Sequence, residues 1–162
     1  MSGPDLRQEL QEFVFYEARL IDERRFDEWG RLFADDGYYW VPASPNQETP
    51  FDHVSLFYDD KSTIESRVAR LQHPQIHVQV PASRTCHLIS NISIDKPGQP
   101  ADQFVINSSL LVLEYRPGSN QRLFGGTCRH SLRRTAGGFE IVEKRVNLVN
   151  CDGTFGALAV PI

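Results

Sequence analysis

The sequence predicts an α+β protein in which three N-terminal helices lie across a strongly curved, mostly antiparallel sheet to make a cone. Two observations carry this. Up to about residue 71, apolar residues recur mainly at helical spacing. Beyond Pro81 they alternate along four runs of 12 or more residues each, the pattern of strands. No internal repeat, low-complexity tract or interior linker divides the chain, so its 162 residues read as one domain, 1–162.

The first helix is expected from Leu6 to about Arg25. Leu6, Leu10, Phe13, Val14, Leu20 and Ile21 form one apolar stripe, and Glu17 is the charged exception on it. Asp5 is placed to cap its start. FDEWGRLF reads as a short second helix with Phe26, Trp29, Leu32 and Phe33 on one side, ended by ADDG. YYWVPA then reads as a strand, SPNQETPFD as a polar loop, and His53 to Tyr58 as a short strand. DDKSTIESRVARL carries a capping box, Ser62 with Glu65, ahead of a stripe of Ile64, Val68 and Leu71.

After Pro81 come SRTCHLISNISI, DQFVINSSLLVLEY, RLFGGTCRHSLRR and FEIVEKRVNLVN, separated by the turns KPGQP, RPGSNQ and TAGG. Strands well beyond the usual length of about 5–6 residues must twist and coil. Ser108-Ser109 and Gly125-Gly126 are the expected bulge or bend positions. A cone of this kind leaves a cavity between helices and sheet unless large side chains fill it.

Composition narrows the partners. With 40% apolar and 23% charged residues and a net charge of -4, the chain has the balance of an ordinary soluble domain and lacks the basic excess that nucleic acid or an anionic membrane requires. Arg129, Arg133, Arg134, Lys144 and Arg145 do cluster, and read as a solvated strand face or a subunit contact. Cys86, Cys128 and Cys151 form an odd set without framework spacing. MSGPDLRQELQEF has no apolar core of signal-peptide type, and no window approaches the roughly 18 apolar residues of a membrane span. A cytoplasmic location with reduced thiols is expected.

The stretch LQHPQIHVQVPASRTCHLISN brings His73, His77, Cys86 and His87 close in the chain. On a helix, His73 and His77 would share a face suited to a metal, but Pro74 and Pro81 make this an extended connection. Cys128-Arg129-His130 is half of the Rieske ligand pattern. The other half, C-x-x-H, is absent: only Cys151 follows, in CDGT, with no histidine after it. In a strand, Cys128 and His130 share one face and read as packing positions. There is no G-x-S-x-G elbow and no phosphate-cradling glycine loop before a helix.

One acid–base constellation remains. Asp22 near the end of the first helix, Tyr38 or Tyr39 on the first strand, and His87 on the first long strand, with Thr85 and Ile89 on its side, could poise an imidazole as a general base. The simpler reading is a buried Asp–His or Asp–Arg pair, with Arg84 nearby, that fixes the helix on the sheet. That reading is favoured.

The segments EARLIDERRFDEWGRLFADDGYYWVP, SLFYDDKSTIESRVARLQHPQIHVQVPASRTCHLISNI and EKRVNLVNCD together span Glu17 to Asp152. In these the chain resembles the small (beta) subunits of aromatic-ring-hydroxylating dioxygenases, the Rieske non-heme iron oxygenases. These belong to the cone-shaped superfamily of nuclear transport factor 2 (NTF2) and scytalone dehydratase. The resemblance implies a single NTF2-like domain that carries no catalytic, cofactor or metal residue of its own.

It implies too that the Rieske [2Fe-2S] cluster and the mononuclear Fe(II) sit in a large (alpha) subunit. Three small subunits would form a trimer under three large ones, an α3β3 hexamer. The assembly would convert aromatic rings to cis-dihydrodiols, with electrons from a reductase, directly or through a ferredoxin. Substrate would be bound by the large subunit. An apolar C-terminus, TFGALAVPI, would insert into a neighbour or close its own sheet. The dehydratase branch implies the alternative, a cofactor-free dehydratase or isomerase using Asp22 and His87, with Tyr38 and His73 as further site residues.

Overall fold

The computed structural model describes residues 5–74, 80–95 and 100–162. His77 and most of the expected KPGQP turn lie outside them.

Helix α1 spans Leu6–Asp22, and the Asp5 side chain accepts from the Arg7 N–H at its start. It stops short of the expected Arg25 because Arg24 takes a left-handed conformation, φ 57, which no α-helix can continue. Leu10, Val14, Leu20 and Ile21 are buried along one stripe, and Glu17 is buried with them. Helix α2 is Phe26–Arg31 and strand β1 is Phe33–Pro42.

ADDG is therefore not a break; it opens the strand. Two features allow this. Arg133, two strands away in the sheet, takes up Asp36, 2.8 Å away. Gly37 admits a close approach, since a Cβ there would stand 2.4 Å from the Ile141 carbonyl oxygen. Strand β2, Ser55–Asp60, runs directly into helix α3, Lys61–Leu71. Asp60 caps this helix by accepting from the Thr63 N–H at 2.8 Å. The expected Ser62–Glu65 box does not form, because the chain is already helical at Lys61 and the capping position falls on Asp60.

The long strands are β3 Arg84–Ile94, β4 Gln103–Tyr115, β5 Arg122–Thr135 and β6 Gly138–Leu148. The six-stranded sheet has the order β2-β1-β6-β5-β4-β3. Only β1 with β6 is parallel; the other pairs are antiparallel. The bulges are not where the sequence placed them. The β4–β5 ladder is in register throughout, with Ser108 opposite Cys128 and Gly126 opposite Leu110. Shifts fall instead in β3 between Ser90 and Ser93, where Asn91 has φ 52, in β6 at Val142 opposite Ser131 and Leu132, and in β1 between Phe33 and Tyr38 and between Val41 and Pro42. Gly126 serves close strand approach instead: a Cβ on it would lie 1.9 Å from the Asn147 carbonyl oxygen.

All three helices pack on one face of the sheet. Burial alternates accordingly along β4, with Phe104, Ile106, Leu110 and Val112 inward. The interior is filled by aromatics. The Trp29 ring meets Phe33 at 5.0 Å and Tyr39 at 5.7 Å, and Tyr39 meets Phe57 at 5.4 Å. The C-terminal segment folds back on this core. Val160 and Ile162 are buried, and the Ile162 N–H donates to the Tyr39 hydroxyl at 3.1 Å. The tail thus closes its own chain's core.

Phe33→Ala should destabilise by about 3–5 kcal/mol, the cost of emptying an aromatic core site. Urea unfolding of the isolated protein measures this, and a loss under about 1 kcal/mol would mean that the interior collapses around the gap.

Candidate functional site

Two polar groups lie under the helices. The first joins the end of α1 to the edge strand β3. Thr85, His87 and Ile89 alternate toward α1, so the last helical residue, Asp22, meets the first two. Its Oδ2 accepts from the His87 backbone N–H at 2.8 Å. Its Oδ1 accepts from the Thr85 hydroxyl at 2.8 Å and lies 2.6 Å from His87 Nδ1. Burial pushes the Asp22 carboxyl up, but the bonds from His87 and Thr85 outweigh it and hold the group below its ordinary value. His87 Nε2 is buried and has no hydrogen-bond partner. A cavity of about 260 Å3, lined by Phe15, Ala18, Arg19, Asp22, His87 and Ile89, opens here.

The sequence thus brought Asp22 and His87 together correctly, but not the other two. Tyr38 points to the opposite face of the sheet, where its hydroxyl donates to Glu143. Burial and the Glu143 carboxylate push its phenol well up. Strand alternation turns Tyr39 inward instead, fully buried. His73 is exposed beyond the end of α3, its backbone N–H bonded to the Arg70 carbonyl at 3.2 Å.

The second group was missed by sequence reasoning. Glu17, on the buried stripe of α1, lies 2.5 Å from Lys144 Nζ and accepts from Trp29 Nε1 at 3.0 Å. Its other oxygen is 3.8 Å from His130 Nε2, and His130 Nδ1 is 3.6 Å from Cys128 Sγ. All of these side chains are buried. Burial pushes the Glu17 carboxyl up, yet Lys144 and His130 outweigh it and hold it far below the usual carboxylate range. Burial disfavours the charged His130 imidazole, but Cys128 and Glu17 raise it to about 9.

Lys144 therefore does not belong to a solvated basic face; its strand turns it inward, within 5.7 Å of the Tyr39 ring centroid. The available signal was the lone charge at position 17 of an otherwise apolar stripe. Cys128 and His130 share one face as expected, facing each other, with His130 Nε2 turned toward Glu17. Among the described residues no group of three or more His, Cys, Asp or Glu side chains is arranged to hold a metal ion.

The family model "Ring hydroxylating beta subunit" matches residues 16–152. This chain belongs to that family. The small oxygenase component of the p-cumate 2,3-dioxygenase system of Pseudomonas putida is 35% identical, over 86% of this chain and 77% of that protein. The beta subunit of the benzoate 1,2-dioxygenase of Burkholderia mallei is 27% identical. It superposes with a TM-score of 0.75 over 96% of this chain and 97% of that one. An NTF2-like protein of Novosphingobium aromaticivorans, 20% identical, shares the fold with a TM-score of 0.59 over 93% of this chain and 85% of its own. Both layers of the expectation, family and NTF2-like α+β architecture, thus stand.

A buried carboxylate and ammonium are each costly alone. Glu17→Leu should lose about 3–5 kcal/mol in urea unfolding, whereas Glu17→Leu with Lys144→Met should recover most of it. Equal losses in the single and double variants would exclude the pair as a coupled unit. The pH dependence follows from the depressed carboxyls. Their contribution is complete above the ordinary values, 4.5 for Glu17 and 3.8 for Asp22, and is lost as pH falls below them. The urea midpoint should therefore drop between about pH 5 and pH 3, and the drop should shrink in the double variant.

Proposed function

We propose that this single-domain chain is the small subunit of a terminal ring-hydroxylating dioxygenase that forms cis-dihydrodiols in aromatic catabolism. The family match over residues 16–152 carries the reading. On it, the chain makes no bond to substrate and holds no cofactor. The Rieske [2Fe-2S] cluster and the mononuclear Fe(II) belong to the large subunit, which receives electrons from a reductase, directly or through a ferredoxin. Three small subunits form a trimer within an α3β3 hexamer in the cytoplasm.

The interior supports this division of labour. The space that a small cone-shaped enzyme would keep for substrate is taken by Trp29, Tyr39, Phe57 and the returning tail. Asp22 spends both carboxylate oxygens on the β3 backbone, a hydroxyl and an imidazole, which suits a lock between helix and edge strand. A rigid body of this kind contributes by holding its partner's geometry, since binding a folded partner shifts that partner's stability upward.

Co-expression with a large subunit of such a dioxygenase tests the reading. The two chains should co-elute as one hetero-oligomer that oxidises an aromatic ring, whereas this chain alone should give no turnover. Turnover by the isolated chain would overturn the proposal. His87→Ala should lower the unfolding midpoint while the reconstituted complex keeps its turnover. Abolished turnover with an unchanged midpoint would return His87 to an acid–base role.

A further inference from the structure

The lock between α1 and β3 uses only half of the His87 ring. Asp22 engages the His87 backbone N–H and Nδ1, and nothing on the helix engages Nε2. The Asp22 carboxyl is held below its ordinary value, so at neutral pH it is a carboxylate and Nδ1 carries the ring proton. In the neutral ring Nε2 is then an acceptor. It has no donor among the described residues, although only 2% of the His87 side chain is exposed. Buried acceptors are seldom left unpaired, because the bond to water that they give up goes unreplaced. Fixing the helix on the sheet accounts for Nδ1 and gives Nε2 no role.

The same imidazole walls the cavity of about 260 Å3 at the end of α1. Three of its other walls are apolar: Phe15 and Ala18 from the helix, and Ile89 from β3. The remaining two are the Asp22 carboxylate and the Arg19 guanidinium, so a charged ligand of either sign meets its like. The lining thus favours a neutral molecule with one hydrogen-bond donor and an apolar body. The volume is sufficient for a ring, since an apolar cavity of about 150 Å3 already accepts benzene. Phe15 is 36% exposed, and its ring offers a partner for edge or offset stacking.

We propose that this cavity is a binding site for a small neutral aromatic alcohol of the phenol class, its hydroxyl donating to His87 Nε2 and its ring lying against Phe15 and Ile89. Nε2 lies beneath the wall, so the ring enters by displacing the exposed Phe15 side chain. The molecule is held and not converted. The two further residues that an acid–base reaction here would enlist stand elsewhere: Tyr38 on the opposite face of the sheet and His73 beyond the end of α3. A ligand bound across α1 and β3 tightens their junction and stabilises the folded chain by mass action.

Phenol, toluene and benzoate, titrated separately into the full chain, provide the test. Phenol should raise the thermal midpoint saturably and should shift the 15N resonance of His87 Nε2. Toluene, the same ring without the hydroxyl, should bind about tenfold or more weaker, because it leaves Nε2 unpaired. In His87→Ala that preference for phenol should vanish. Where His87→Ala does not fold, the Nε2 resonance of the unaltered chain decides. A phenol titration with no saturable rise and no Nε2 shift overturns the site. Toluene binding as tightly as phenol overturns the role of Nε2, and benzoate binding more tightly than phenol overturns the neutral ligand and moves the anchor to Arg19. None of these results bears on the small-subunit reading, which rests on the family match.

Discussion

The packing of this protein turns on the Glu17–Lys144 pair at the centre of the interior. Neither ion tolerates burial alone, so α1 and β6 must be brought together with side-chain precision. Trp29 then adds its indole N–H to the same carboxylate, tying α2 to both. Three elements distant in sequence thus meet at one group. The aromatic packing of Trp29, Phe33, Tyr39 and Phe57 closes around this point, and the returning tail is pinned to the Tyr39 hydroxyl. Replacing such a cluster with apolar residues is often neutral for stability, whereas removing one partner strands a buried charge.

That constraint has a functional consequence. A core closed by ions, aromatics and tail fills the centre between helices and sheet and leaves the Asp22–His87 pair a cavity of about 260 Å3. The Asp22–His87 lock sits at the rim, where it ties the end of α1 to an otherwise free edge strand. Edge strands present unpaired backbone groups and invite stray association. A carboxylate that engages the His87 N–H, the Thr85 hydroxyl and the imidazole makes this edge a fixed boundary. What else remains accessible is the opposite face of the sheet, where exposed leucines and the Arg129–Arg145 pair lie side by side. A family member whose interior is closed and whose open face is chemically varied is built to be held by other chains.

Much of this was legible in the amino-acid order. The stripe of Leu10, Val14 and Ile21, the alternation along the four late strands, and the pairing of Asp22 with His87 all follow from periods of 3.6 and 2.0. Those periods are local properties of the backbone. The family resemblance lay in equally local runs of residues. Helix ends and caps were less legible, because Asp60 caps α3 only once β2 has delivered the chain in extended form. The expected bulges at Ser108-Ser109 and Gly125-Gly126 failed for a related reason: a bulge belongs to a pair of strands, and the partner's residues decide which strand carries it.

The chain's own sequence determined the α+β class, the apolar faces of each element, the lack of a Rieske ligand set within it and the helix-to-strand lock at His87. Only the tertiary structure decided that Glu17 and Lys144 neutralise each other inside, that Tyr38 and His73 stand apart from the Asp22–His87 pair, and that Arg129 confronts Arg145. Each of these is a relation between residues far apart in the chain. Its energy depends on distance and burial in three dimensions, and periodicity along one dimension carries no record of either.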